Sequence, residues 1–226
     1  MRAGQKLYDN NAIQVALFPL SGFHISQRDD ETISHNPSRY WATDYLGWNS
    51  SGRVYRDPCY APVDIKCVWL NKQECMAIWE SLLPVHLANG MTDQYLTLIV
   101  YHDQDITNGV ITTGTIKRQG EQFNRTGTGG NVTGDHVHLE TGYGKFTSPA
   151  NHYHIEDSGG VHRLHNYDAL YINDTNPYQS PGSYVWKTYE GGSPTPPEPA
   201  KKYRFKWVLY AKKLRDKNWQ IEKNLL

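Results

Sequence analysis

Cysteine is scarce in this sequence, and the three that occur, Cys59, Cys67 and Cys75, are odd in number and nowhere spaced as CxxC. That excludes a disulfide framework and a thiolate metal site, and predicts buried thiols made in a reducing cytoplasm. Long apolar runs are missing as well. Segments such as residues 95–101 are strand-sized and end in polar residues, so no window has the length needed to cross a bilayer. At the start, Asp9, Asn10, Asn11 and Gln14 interrupt the apolar stretch of MRAGQKLYDNNAIQVALFPL, so no signal peptide is read and a soluble chain is expected. Charge of one sign is not in excess either. The 23 Lys and Arg balance the 23 Asp and Glu, which removes the basic surplus of a nucleic-acid binder, and no nucleic-acid partner is expected.

What is present is histidine, ten of them, with 16 Tyr and 7 Trp in 226 residues. That length suits one well-cored domain with a short appendage. The aromatic content suits an all-β protein, and also a groove that binds sugar or peptide chains. Strand-like segments bounded by Gly, Asn, Asp and Pro recur at 65–70, 95–101, 110–113 and 136–141. Between them, Cys75, Ile78, Trp79 and Leu82 fall at helical spacing ahead of Pro84, which predicts one helix over 72–83. The composition changes at GGSPTPPEPA. The domain is therefore expected over residues 1–190, a Pro/Gly-rich linker over 191–200 and a basic tail over 201–226. The tail carries nine Lys or Arg against Asp216 and Glu222 and is too short to fold alone. A solvated, partly helical tail is favoured over a contact to anionic wall polymer, membrane or a partner protein.

The most specific pattern is GDHVHLETG. Side chains alternate along a strand, so His136 and His138 project to one side, where they can share a metal or divide metal and substrate between them. The spacing alone is weak, because NHYHIE repeats it with His152 and His154. The glycine-rich approach to His136 is missing before His152, which makes the second pair the lesser candidate, at a cleft edge or on the surface. His24, His86, His162 and His165 are read as scattered surface or turn residues without a carboxylate at ligand spacing.

The stretch from Gly120 through Thr126–Gly130 and Gly134 into His136–Glu140 resembles the zinc metallo-endopeptidases of the lysostaphin/LytM type, in which a glycine-containing turn and a short G-x-T-G loop lead into an H-x-H-hydrophobic-E strand. The resemblance implies that His138 ligates zinc and that His136 stabilises the transition state. It also calls for an earlier His and Asp, which ISHNPSRYWATDYLGW supplies as His35 and Asp44. These stand nine residues apart, where the family usually has four. The wider spacing, with Ile25-Ser26-Gln27 before the pair and Tyr60-Ala61-Pro62 after it, is similar to a phage-associated branch of that family. His102, at the end of LTLIVYH, takes the place of a second catalytic His, and the similarity spans roughly residues 18–141.

The resemblance implies a mainly β fold, an antiparallel sheet with a zinc-floored groove, with the helix over 72–83 and loops as groove walls. The implied metal is Zn2+ on His35, Asp44 and His138, with an open fourth position for water. Glu140 or Asp135 would orient a ligand imidazole. The implied partner is bacterial peptidoglycan, cut in a stem peptide or cross-bridge by a phage lysin or tail-associated enzyme. Such an enzyme is made in the host cytoplasm and reaches the wall by holin release or on the virion, with phage tail proteins or wall polymer as further partners of the basic tail. Two other functions stay open at this point: a metal-free relative that only binds the wall, and a carbohydrate-binding module.

Overall fold

A computed structural model describes residues 1–172 and 184–191. Of the expected linker only Gly191 is described, and the basic tail lies outside the described residues. The strands are β1 (Phe23–Gln27), β2 (Ala42–Asn49), β3 (Gly52–Val54), β4 (Pro58–Tyr60), β5 (Ile65–Asn71), β6 (Met76–Ser81), β7 (Leu96–Tyr101), β8 (Ile116–Lys117), β9 (Gln122–Arg125), β10 (Val137–Gly144) and β11 (Val161–Leu164). Two single-turn helices, α1 (Gln104–Thr107) and α2 (Asn166–Ala169), complete the described elements.

The fold is mainly β, as expected, and every described strand pairing is antiparallel. The main sheet runs β1-β2-β10-β7-β6-β5-β8, with β11 added to β10 and β3 added to β2, while β4 and β9 form a small separate ladder. Alternation along the central strands sorts their side chains. Val137 and Leu139 of β10, Leu96, Leu98 and Val100 of β7, and Ala77 and Trp79 of β6 join the principal core on one face. On the other face Met76, Ile78 and Ile99 pack under Phe146, Ile155 and Val161. His138 and Glu140 share that second face and stand beside this smaller cluster. The fully buried Trp79 ring meets Phe123 edge-on at 5.4 Å, and burying such a ring is worth roughly 3–5 kcal/mol against truncation to alanine.

Three of the four expected strands form close to their predicted bounds, and two predictions are corrected. Residues 110–113 make no strand: Val110 and Ile111 follow α1 and donate their N–H groups to the Asp105 carbonyl, and Val110 is exposed. Residues 72–83 do not form a helix. Asn71 Oδ1 accepts from the N–H groups of Gln73 and Glu74, Cys75 takes a positive φ of 50°, and the chain turns back into β6. All six residues of β6 are buried because the strand lies between β5 and β7. A strand buried on both faces shows no alternation, and its apolar run matched helical spacing by coincidence. The three cysteines are free and buried, as expected.

Candidate metal centre

Three adjacent strands assemble the site. Asp44 of β2 and Tyr101 of β7 both stand opposite His138 of β10 in the sheet register, so the three side chains project from one patch of the sheet. His35 comes from the excursion between β1 and β2, which leaves after Gln27 and returns at Ala42. Gln27 is itself paired with Asp44, after a register shift in β1. The loop that begins and ends beside Asp44 brings His35 back to it, which is how a nine-residue spacing still converges.

The resulting distances are 3.3 Å from His35 Nε2 to Asp44 Oδ1 and 3.1 Å from His138 Nδ1 to the same oxygen. All three residues are buried, and one ligand atom from each lies within 4.8 Å of the others. Four ligands at about 2.0–2.1 Å around a tetrahedral zinc stand about 3.3 Å apart, so the observed separations fit such an ion. The proton inventory agrees. His35 Nδ1 lies 3.4 Å from the Arg28 carbonyl, an acceptor only, so in the neutral ring it carries the hydrogen and leaves Nε2 as the ligating atom. That atom faces a carboxylate oxygen, and neither His35 Nε2 nor Asp44 Oδ1 has a hydrogen-bond partner of good geometry. In that tautomer two buried acceptors face each other, and a cation, a metal ion or a proton, relieves their repulsion. The group fits a metal ion.

Glu140 explains why His138 presents Nδ1. Its Oε1 lies 3.0 Å from His138 Nε2, and the same carboxylate accepts from His154 Nδ1 at 2.6 Å and from the Ile155 N–H at 2.8 Å. With Nε2 donating to Glu140, Nδ1 is the free ligand atom. Asp135, the other sequence candidate for this task, meets no ligand imidazole through the hydrogen bond it makes: its Oδ2 accepts from the Arg56 N–H. A second group that could hold a metal, His138 with Glu140 and His154, shares the same imidazole. Its atoms are already hydrogen-bonded to one another, which makes it the weaker site. Substituting Glu140→Gln should weaken metal binding by about 10–100-fold, read as a shift in zinc occupancy under chelator competition.

Burial pushes the Asp44 carboxyl up, but the crowding imidazoles of His138, His35 and His136 outweigh it and hold the group well below the usual carboxylate range. For Glu140, likewise, burial is outweighed by His138 and His154. Burial opposes the charge on His138, yet Asp44 and Glu140 together raise its pKa to about 9. A metal must displace that proton, so its apparent affinity rises with pH up to about 9.

His102 and His136 stand beside this group with ring centroids 4.5 Å apart. His102 is lowered to about 3, first by burial and then by the charge of His136, so it is neutral at pH 7. Its Nδ1 donates to the Gly129 carbonyl at 2.9 Å, which leaves Nε2 as a free base. His136 donates from Nδ1 to the Gly134 carbonyl at 2.8 Å and turns Nε2 toward Asp44 Oδ2 at 3.6 Å.

The glycine-rich segment sets this geometry. Gly127 pairs with His136 across a β-bridge, while the Gly129 N–H donates to the His102 carbonyl at 2.9 Å. His102 holds a φ of +81°, a strained value for a residue with a side chain. A Cβ on Gly127 would lie 2.1 Å from the His102 carbonyl oxygen. Arg56 ties the neighbouring segments together, reaching Asp103 at 2.7 Å, Gln104 at 2.6 Å and Asp105 at 2.9 Å while its N–H meets Asp135. We expect Gly127→Ala to displace His102 and to lower turnover by about 100-fold with zinc content retained. A rate within twofold of wild type would show that the close approach does not position His102.

The groove above these residues has a volume of about 870 Å³, with Tyr40, Tyr101, Tyr153, Glu74 and His154 among its walls. His154 was underrated by sequence. It stacks on Tyr40 at 3.6 Å and holds Glu140, whereas His152 packs on Phe146 instead. His86 and His165 were expected to lack carboxylate partners, but Asp9 and Asp29, far away in sequence, meet them at 3.1 and 2.5 Å. Among the described residues neither belongs to a group able to hold a metal.

No protein-family model matches the sequence. Over 180 residues, 79% of its length, the chain is 31% identical to Morphogenesis protein 1 of Bacillus phage B103, and the match covers 46% of that relative. The chain thus spans about half the length of the curated relative it matches. Among solved structures, a zinc-containing peptidase from Vibrio cholerae is similar over 59% of this chain and 39% of that one, with 15% identity and a TM-score of 0.37. So distant a likeness assigns neither fold nor activity. No helix among the described residues is long and apolar enough to cross a membrane.

Proposed function

We propose that the chain is a zinc-dependent endopeptidase of the lysostaphin/LytM type that hydrolyses peptide bonds in bacterial peptidoglycan. The observation that carries this reading is the buried ligand triangle of His35 Nε2, Asp44 Oδ1 and His138 Nδ1, the first two of which have no hydrogen-bond partner. His35, Asp44 and His138 would hold the ion, and Glu140 would orient His138. A zinc bound there supplies a Lewis acid for the scissile carbonyl and for the attacking water.

The protein's own contributions follow from its proton inventory. His102 Nε2 accepts the proton of the attacking water, since its Nδ1 is committed to Gly129. His136, once protonated, donates from Nε2 to the oxygen that gains negative charge. The groove, with a volume of about 870 Å³ beside the ligand triangle, offers room for a peptide segment. The similarity to a phage protein named for morphogenesis supports a virion-borne enzyme that opens the wall at entry, ahead of a lysin released through a holin. Phage tail proteins or wall polymer, contacted through residues 201–226, belong to the same proposal.

The test is product analysis on purified peptidoglycan with the zinc-loaded protein. Appearance of new α-amino groups without new reducing sugar ends is the expected result. Wall binding with neither product would leave a binding module in its place.

A further inference from the structure

The groove contains one charged side chain that the proposed chemistry does not use. Among the described residues lining it, the carboxylates are Asp44 and Glu74, and there is no Lys or Arg. Asp44 is committed to the histidine cluster. Glu74 is in no ion pair among the described residues, whereas Arg39 is engaged by Glu156 at 2.6 Å and Arg28 by Asp30 at 3.2 Å.

Glu74 is also held in place. It occupies the tight turn between β5 and β6, where Asn71 Oδ1 accepts from its N–H at 3.3 Å and Cys75 follows with its positive φ. On the other side the turn abuts the glycine-rich loop, where a Cβ on Gly130 would lie 3.0 Å from the Glu74 carbonyl oxygen. Glu74 thus lines the groove together with Tyr101 from a fixed backbone position. A carboxylate without an ion-pair partner in a half-buried groove attracts a cation, and with no Lys or Arg among the described lining residues a substrate carboxylate finds no basic side chain there. The exposed apolar side chains of Ile33 and Tyr153 on the rim offer a surface for an aliphatic stem.

We infer that Glu74 is a specificity residue of this groove and that it receives a primary ammonium group of the substrate, so that the substrate class is an amine-bearing peptide. This rests on the peptidase reading of the same site. A charge-assisted hydrogen bond of this kind sets a preference of about tenfold.

The experiment uses two synthetic stem peptides that are identical except that the lysine side-chain amine is free in one and acetylated in the other. Both are given to the zinc-loaded full-length chain, with KM, kcat and equilibrium binding measured. The wild type is expected to favour the free amine by about tenfold, mainly in KM and in binding. In Glu74→Gln the ratio should fall to about one with zinc retained, and in Glu74→Lys it should invert. Equal handling of both peptides by the wild type, or a preference that survives Glu74→Gln, overturns the inference. Glu74-dependent binding of the amine peptide with neither peptide cut upholds the amine subsite and removes the peptidase reading instead.

Discussion

Asp44→Asn should abolish zinc binding and wall hydrolysis together while the chain stays folded. The amide keeps the shape of the carboxylate but removes the one negative charge among the three ligands, the charge that offsets the metal ion. It can also turn an N–H donor toward His35 Nε2 and His138 Nδ1, which closes the ligand triangle that these atoms form with Asp44 Oδ1. The substitution leaves the β2 backbone ladder to β1 and β10 intact. Zinc should fall from about one per chain to near zero, and turbidity loss of purified walls should drop to the uncatalysed background. An unchanged far-ultraviolet circular dichroism spectrum would show that the loss is local. Full zinc content in this variant would mean that the carboxylate is not a ligand.

His102→Ala should separate chemistry from metal binding. Its imidazole is neutral, fixed through Nδ1 and free at Nε2, and it is not part of either group able to hold a metal. Loss of a general base costs about 10²–10⁴-fold in turnover. The variant should retain about one zinc and bind peptide with little change, so the loss should appear in kcat. Loss of zinc as well would assign His102 to the metal. Activity within a few-fold of wild type would move the base role to another group, with His136 the nearest.

The strands and the HxH face were legible because period-two alternation survives wherever one face of a strand meets polar surroundings. Val137 and Leu139 turn to the core while His136 and His138 turn to the groove and Glu140 lies buried on the same face beneath it, and that pattern is written in five consecutive residues. β6 was not legible, because burial on both faces erases alternation. That misreading also hid Glu74, which a helix would have placed on a solvated face but the turn places in the groove. The link between His35 and Asp44 was suggested by resemblance alone. Their meeting depends on a loop that starts and ends beside one sheet position, which no local pattern encodes. His154 was underrated for a related reason, since its partner Glu140 lies 14 residues away across a loop.

The most direct test of the metal assignment is elemental analysis of the purified, metal-replete chain beside His35→Ala and His154→Ala. The geometry predicts about one zinc in the wild type, none in His35→Ala, and zinc retained in His154→Ala, whose ring only supports Glu140. No zinc in the wild type would contradict the account. So would zinc kept in His35→Ala and lost in His154→Ala, which would place the ion on His138, Glu140 and His154 instead.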